Sequence, residues 1–126
     1  MRLRRSSVLL ALLAHSGCAA VSTAGGERMT LQSDEFRAYV ERVFREQNRV
    51  ADELAFAAEA PGPARPALAA AEEQLLAACA GVNELATARR DQRRLGPASS
   101  VRLARSVPDC ERATRAAEQR LAGEAN

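Results

Sequence analysis

The chain of 126 residues is long enough for one small domain and too short for two of ordinary size. Its formal net charge is +2, but three arginines lie within the first five residues, in a segment that we expect to be removed. The remaining 15 basic residues then stand against 16 acidic ones, a net charge of −1. This balance excludes the overall positive charge of a nucleic-acid-binding domain, so no nucleic-acid partner is predicted.

The first 20 residues are ordered like a secretory signal peptide. A basic end with three arginines is followed by an uncharged run over residues 6–14 and by small residues over 16–20. The uncharged run is well short of the roughly 20 residues that span a bilayer. We therefore predict that residues 1–17 are a signal peptide and not a permanent membrane helix.

The segment Leu12–Cys18 resembles a lipobox, the sequence in which small residues precede the lipid-bearing cysteine of a bacterial lipoprotein. Ser16 and Gly17 match that pattern, whereas His15 stands where the family usually has an aliphatic residue. The resemblance implies that Cys18 is acylated, becomes the new amino terminus and anchors the protein in a membrane.

The residue after the proposed lipid attachment site is Ala19 and not an aspartate. An aspartate at this position would imply a membrane other than the outer one. The resemblance therefore implies the outer membrane of the bacterial cell envelope, on its periplasmic face. The alternative is ordinary signal-peptidase cleavage after Ala20 or Ala24, which would give a secreted or soluble periplasmic protein. Residues 18–32 are polar and glycine-containing without a sustained apolar period, which favours a flexible tether.

The rest of the chain, residues 33–126, predicts an all-α domain. Ser33 is a good N-cap, and Asp34 and Glu35 place negative charge at the positive end of the helix dipole. Apolar residues then recur at helical spacing, interrupted by one glutamine; the stripe comprises Phe36, Val40, Val43, Gln47, Val50, Leu54 and Ala57. Three prolines and a glycine within residues 60–66 end this helix and turn the chain back.

A second helix is predicted over residues 67–95, ended by Gly96 and Pro97, with Gly81 as a weak point near its middle. An irregular connection over residues 97–107 is expected to lead to a third helix, capped by Ser106. The predicted architecture is an antiparallel helical hairpin plus a third C-terminal helix, forming a small bundle.

The cysteines predict a disulfide that staples this bundle. Lipidation of Cys18 leaves Cys79 and Cys110 as a pair, which an oxidising envelope would join. The alternative is two buried free thiols. With a third helix that begins near residue 106, the bridge requires the connection from Gly96 onward to lie as an extended strap along the second helix.

Residues that carry chemistry are few. His15 is the one histidine and leaves with the signal peptide, so we predict no catalytic residue, cofactor, metal site or small-molecule substrate. The arginines Arg89, Arg90, Arg93 and Arg94 form a basic cluster. They favour a role at a helix carboxyl end, with a phosphate-rich lipid headgroup, an acidic glycan or an acidic partner as the alternative.

Three aromatic residues, Tyr39, Phe44 and Phe56, lie near the first apolar stripe but partly off it. They predict a wider core contact or, alternatively, a partner-binding groove. The leading functional interpretation is a small envelope lipoprotein whose helical domain is a binding or accessory module for another envelope protein. The alternative is a structural protein that dimerises through its first helix, with Gln47 fixing the register.

Overall fold

Four α-helices and a short β-hairpin make up residues 19–124, the part of the chain that the structure, a computed structural model, describes. In chain order the elements are β1 (Ala20–Ser22), β2 (Arg28–Thr30), α1 (Asp34–Glu59), α2 (Arg65–Ala78), α3 (Ala80–Arg90) and α4 (Pro97–Glu124). The predominantly helical fold is confirmed. The number of helices and the absence of strands were predicted wrongly. The predicted signal peptide and Cys18 lie outside the described residues.

Helix α1 begins and ends where its sequence indicates. The Ser33 hydroxyl accepts a hydrogen bond from the Phe36 amide at 3.0 Å, and Asp34 and Glu35 occupy the first turn. The helix ends before the proline-rich segment that follows Ala60. Its apolar stripe is buried against the other helices, with Val43, Val50 and Leu54 fully enclosed.

The predicted second helix is two helices, because the chain leaves helical geometry at Cys79. This residue has φ −94° and ψ 2°, which ends α2 and starts α3. Its side chain forms a disulfide with Cys110 in the middle of α4, with 4.5 Å between the two Cα atoms. The predicted disulfide is therefore confirmed, and it lies at the break between α2 and α3.

Gly81 lies at a close approach of α3 to α4. A methyl group added there would come within 2.1 Å of the Ser106 hydroxyl oxygen. The glycine that weakens α3 in isolation thus allows α3 to pack against α4. Ser106 lies inside α4 and not at a helix start as predicted, and its hydroxyl donates to the Leu103 carbonyl at 2.6 Å.

Helix α4 replaces the predicted irregular connection and strap. Pro97 occupies its first turn, where a missing N–H costs nothing, and the Gly96 carbonyl accepts from the Ser100 amide at 2.9 Å. Pro108 lies inside the helix and is buried, so its cost to the helix is offset by core packing. The helical path from Pro97 to Cys110 is about 20 Å long, which carries Cys110 back to Cys79 without an extended segment.

Residues 19–32 form a β-hairpin and not the flexible tether that we predicted for residues 18–32. β1 and β2 are antiparallel, with Val21 opposite Met29. The polar residues that indicated a tether form the turn, in which Gly26 has φ +87° and its amide donates to the Thr23 carbonyl. Val21 is 5% exposed and belongs to the core, so the β-hairpin is part of the domain.

The described helices enclose a single core made largely of valine, leucine and alanine. Helices α2 and α3 run back along α1, and α4 contacts all three of the other helices and β1. Loop 91–96 therefore lies at the end of the bundle where α1 begins, and loop 60–64 at the end where α1 finishes. Helix α1 separates the two ends by about 39 Å.

Reduction of the Cys79–Cys110 disulfide is expected to lower the free energy of unfolding by about 3–4 kcal/mol, because the bridge closes a loop of roughly thirty residues in the unfolded chain. The measurement is urea unfolding with and without reductant, together with a thiol count on the unreduced protein. A Cys79→Ala, Cys110→Ala double variant should match the reduced wild type and be insensitive to reductant. An unchanged wild-type midpoint on reduction would contradict the prediction.

Candidate functional site

Glu111 is the charged side chain that the described fold buries most completely, at 2% exposure. The Tyr39 hydroxyl of α1 and the Ala24 amide of the β-hairpin turn donate to its Oε2 atom, at 2.7 and 3.3 Å. Arg42 of α1 and Arg115 of α4 donate to Oε1, at 3.3 and 2.5 Å. One carboxylate thus joins the β-hairpin, α1 and α4.

The environment of Glu111 keeps its carboxylate ionised. Burial by itself would raise the pKa of Glu111, but the Tyr39 hydrogen bond and the charge of Arg115, with smaller contributions from Ala24 and Arg42, outweigh it and lower the pKa. Burial, together with the hydrogen bond to Glu111 and its negative charge, raises the pKa of Tyr39. The Arg42 guanidinium also lies 5.2 Å from the centre of the Tyr39 ring.

The four donors around Glu111 indicate what the cluster does. A general base or acid needs a pKa near the working pH, whereas Glu111 and Tyr39 are shifted away from neutrality in opposite directions. A carboxylate that is already engaged by four donors is suited to holding elements together. The cluster therefore acts as a clamp that fastens the β-hairpin to the helices.

A groove of about 540 Å³ lies beside the clamp, between the β-hairpin turn and α1. Three basic and three acidic side chains line it, so its charge is balanced; they are Arg42, Arg45, Arg115, Glu27, Glu35 and Glu111. Such a lining does not select an anionic or a cationic ligand.

Sequence reasoning missed Glu111, because a glutamate in a helix is almost never fully buried unless it is paired, and its partners are not visible in the sequence. A signal was present in the spacing, since Glu111 follows Val107 by four residues and precedes Thr114 by three, and both lie on the buried face of α4. Its pairing with Tyr39, far away in the sequence, carries no local signature.

The predicted arginine cluster lies at the end of α3 and in the loop that follows. The helix ends in a Schellman motif, in which Gln92 has φ 53°, its amide donates to the Arg89 carbonyl and the Arg93 amide donates to the Ala88 carbonyl. Backbone amides therefore donate to the Thr87, Ala88 and Arg89 carbonyls at the end of α3. The arginine side chains are exposed and are not needed for that purpose.

A second cavity, of about 260 Å³, opens beside these arginines. Most of its wall is apolar, and Arg89 and Arg93 contribute the charged part; the other main lining residues are Leu31, Phe36, Leu85, Leu95 and Ala104.

The three aromatic residues singled out by the sequence have different fates. Tyr39 is buried and Phe44 packs partly buried against the core, as the wider core contact predicted. Phe56 is 79% exposed near the end of α1, so the core interpretation is wrong for it. Gln47 is buried inside the chain and its amide nitrogen donates to Asn83 of α3 at 2.9 Å.

Within residues 19–124, no helix has the length and apolar character to cross a bilayer, and no group of acidic, histidine or cysteine side chains is placed to hold a metal ion. Comparison of the chain with protein-family models, with curated proteins and with solved structures gives no significant match.

Replacement of Glu111 by glutamine is expected to lower the free energy of unfolding by about 1.5–3 kcal/mol, because it removes charge-assisted hydrogen bonds from a buried position. The matched control is Glu118→Gln on the same helix, whose carboxylate is half-exposed and pairs with Arg49 at 2.6 Å. An exposed ion pair of this kind contributes at most about 1 kcal/mol. Urea unfolding near neutral pH measures both, and equal losses would contradict the clamp.

The acid dependence of stability follows from the same pair of variants. Because the folded pKa of Glu111 is lowered, its stabilisation is complete above the ordinary glutamate pKa of about 4.3 and is lost as the pH falls through the folded value. We expect the stability gap between wild type and Glu111→Gln to close over that acid range. The gap between wild type and Glu118→Gln should not exceed about 1 kcal/mol, because that ion pair is exposed.

Proposed function

We propose that this protein is a small lipoprotein of the bacterial cell envelope, anchored through an acylated Cys18, whose helical bundle is a binding or accessory module for another envelope protein. The anchor would hold the module at the periplasmic face of the outer membrane. The two parts of the proposal, anchor and partner, rest on different observations.

The packing of the β-hairpin against the helices supports the proposed anchor at Cys18. Cleavage after Ala24 would remove β1 with its core residue Val21. It would also remove Ala24, whose amide donates to Glu111. Cleavage after Ala20 would remove the Ala19 carbonyl, which accepts from the Leu31 amide at 3.1 Å. Cleavage before Cys18 keeps all of these interactions, so the fold favours lipoprotein processing over the alternative sites.

The exposure of Phe56 supports the proposed binding of another protein. Its ring is 79% exposed and lies near the end of the bundle away from Ala19, where an anchored module would meet another protein. Burial of a phenyl ring contributes about 1.5–3 kcal/mol, enough to matter for an interface. The face of α1 that a coiled-coil dimer would use is already buried within the chain, including Gln47, so we favour a heterologous partner over self-association.

Replacement of Cys18 by alanine is expected to abolish acyl labelling and membrane retention while leaving the helical bundle folded. Labelling with a fatty-acid analogue, envelope fractionation and far-UV circular dichroism measure these three properties. Ser22→Ala, an exposed change in β1, is the control and should be labelled like wild type. An intact mass for a protein that begins at Val21 or Gly25 without an acyl chain would contradict the anchor.

Replacement of Phe56 by serine is expected to reduce co-purification of a stoichiometric partner from detergent-solubilised envelope by about tenfold or more, because an interface would lose its apolar ring. Phe56→Leu keeps an apolar side chain and should retain most of the binding. Stability should change by no more than about 0.5 kcal/mol in both, since the site is exposed. Light scattering of the wild type separates the alternative, because a concentration-dependent homodimer without another protein would favour self-association.

A further inference from the structure

The described chain begins at the arginine-rich end of the bundle. The Leu31 amide donates to the Ala19 carbonyl at 3.1 Å, and Leu31 lines the 260 Å³ cavity together with Arg89 and Arg93. Ala19, the open end of the β-hairpin and the end of α3 therefore lie together. One peptide bond separates Ala19 from Cys18.

Positive charge at this end is only partly neutralised within residues 19–124. Arg90 pairs with Asp91 at 3.0 Å, and Arg93 lies 4.0 Å from Glu84. Arg89 and Arg94 have no acidic or hydrogen-bonding partner for their side chains in the described part of the chain, and backbone amides donate to the Thr87, Ala88 and Arg89 carbonyls. Two exposed guanidinium groups thus remain uncompensated, Arg89 in the wall of the cavity and Arg94 in the loop between the lining residues Arg93 and Leu95.

The acidic residues that begin α1 do not neutralise them. Asp34 pairs with Arg37 of its own helix at 3.1 Å. Glu35 lines the grooves on the β-hairpin side and not the cavity that holds Arg89 and Arg93. The end of the bundle therefore has a surplus of positive charge where the chain enters.

We propose that this end of the bundle is a docking surface for anionic phospholipid headgroups, on which the domain lies directly against the membrane. This inference rests on the proposed anchor at Cys18, whose position next to Ala19 leaves no spacer between lipid and fold. Arg89 and Arg94 bind headgroup phosphates, since guanidinium groups form paired hydrogen bonds with phosphate oxygens. The apolar wall with Leu31 and Leu95 receives the less polar glycerol region below the phosphates.

The test uses the acylated full chain, purified in detergent and reconstituted into phosphatidylcholine vesicles with or without phosphatidylglycerol. Hydrogen exchange of amides 91–96 is expected to slow by up to about thirty-fold in the anionic vesicles. Each of the two arginines, Arg89 and Arg94, contributes about 1 kcal/mol near such a surface, and 1.4 kcal/mol is a factor of ten. Loop 60–64 at the opposite end is the internal control and should not change. High salt should remove the difference.

The variant Arg89→Gln, Arg94→Gln should lose the protection, whereas Arg65→Gln, Arg120→Gln makes the same charge change elsewhere and should keep it. Equal exchange in both vesicle types would overturn the proposal while leaving the anchor intact. Protection in neutral vesicles by inorganic phosphate alone would also overturn it, in favour of a free-anion site. If the intact mass shows no acyl chain, the proposed anchor is wrong. Flotation of the same protein with anionic vesicles then tests the docking surface alone, and flotation that does not depend on Arg89 and Arg94 would overturn it.

Discussion

The disulfide between Cys79 and Cys110 is the constraint on which the rest of the structure depends. It joins the middle of α4 to the junction of α2 and α3, so α4 must pass α3 in its first half and α2 in its second. The same crossing requires Gly81, where a side chain would meet Ser106. The core of valine, leucine and alanine belongs to a small domain whose net stability is modest, so a covalent link that destabilises the unfolded chain has a large share in it.

The Glu111 clamp fastens the β-hairpin to the helices, as the disulfide fastens α4 to the junction of α2 and α3. Two strands of three residues cannot persist alone in water, and Val21, at 5% exposure, is the one β-hairpin residue buried in the core. The Ala24 amide, bound to a carboxylate that Tyr39 and two arginines hold ionised, adds a polar attachment at the turn. The β-hairpin is therefore fastened to the helices by Val21 in the core and by Glu111 at its turn, while the Ala19–Leu31 hydrogen bond closes its two arms on each other.

The sequence allowed α1, its cap, its proline-rich end and the disulfide pair to be predicted, because each depends on neighbouring residues or on cysteine parity. It allowed the second half of α4 to be predicted as a third helix but not the first half, since an internal proline costs about 3 kcal/mol in an isolated helix and only the core around Pro108 offsets that cost. The β-hairpin was not predicted, because three-residue strands are too short to show the alternation of apolar and polar residues that is typical of strands. The Glu111–Tyr39 pair joins residues 72 positions apart, which no local pattern encodes.

The end of α3 connects this architecture to the proposed membrane surface. A helix that ends with arginines usually needs no further explanation, because cations there interact favourably with the last carbonyls. Here the Schellman motif satisfies those carbonyls with backbone amides and places the non-glycine residue Gln92 at φ 53°, a conformation that costs a side chain roughly 1 kcal/mol relative to glycine. The turn then directs Arg93 and Leu95 toward the cavity beside Leu31. The geometry that ends α3 therefore also brings its arginines close to Ala19, at the end of the bundle that the proposal places against the membrane.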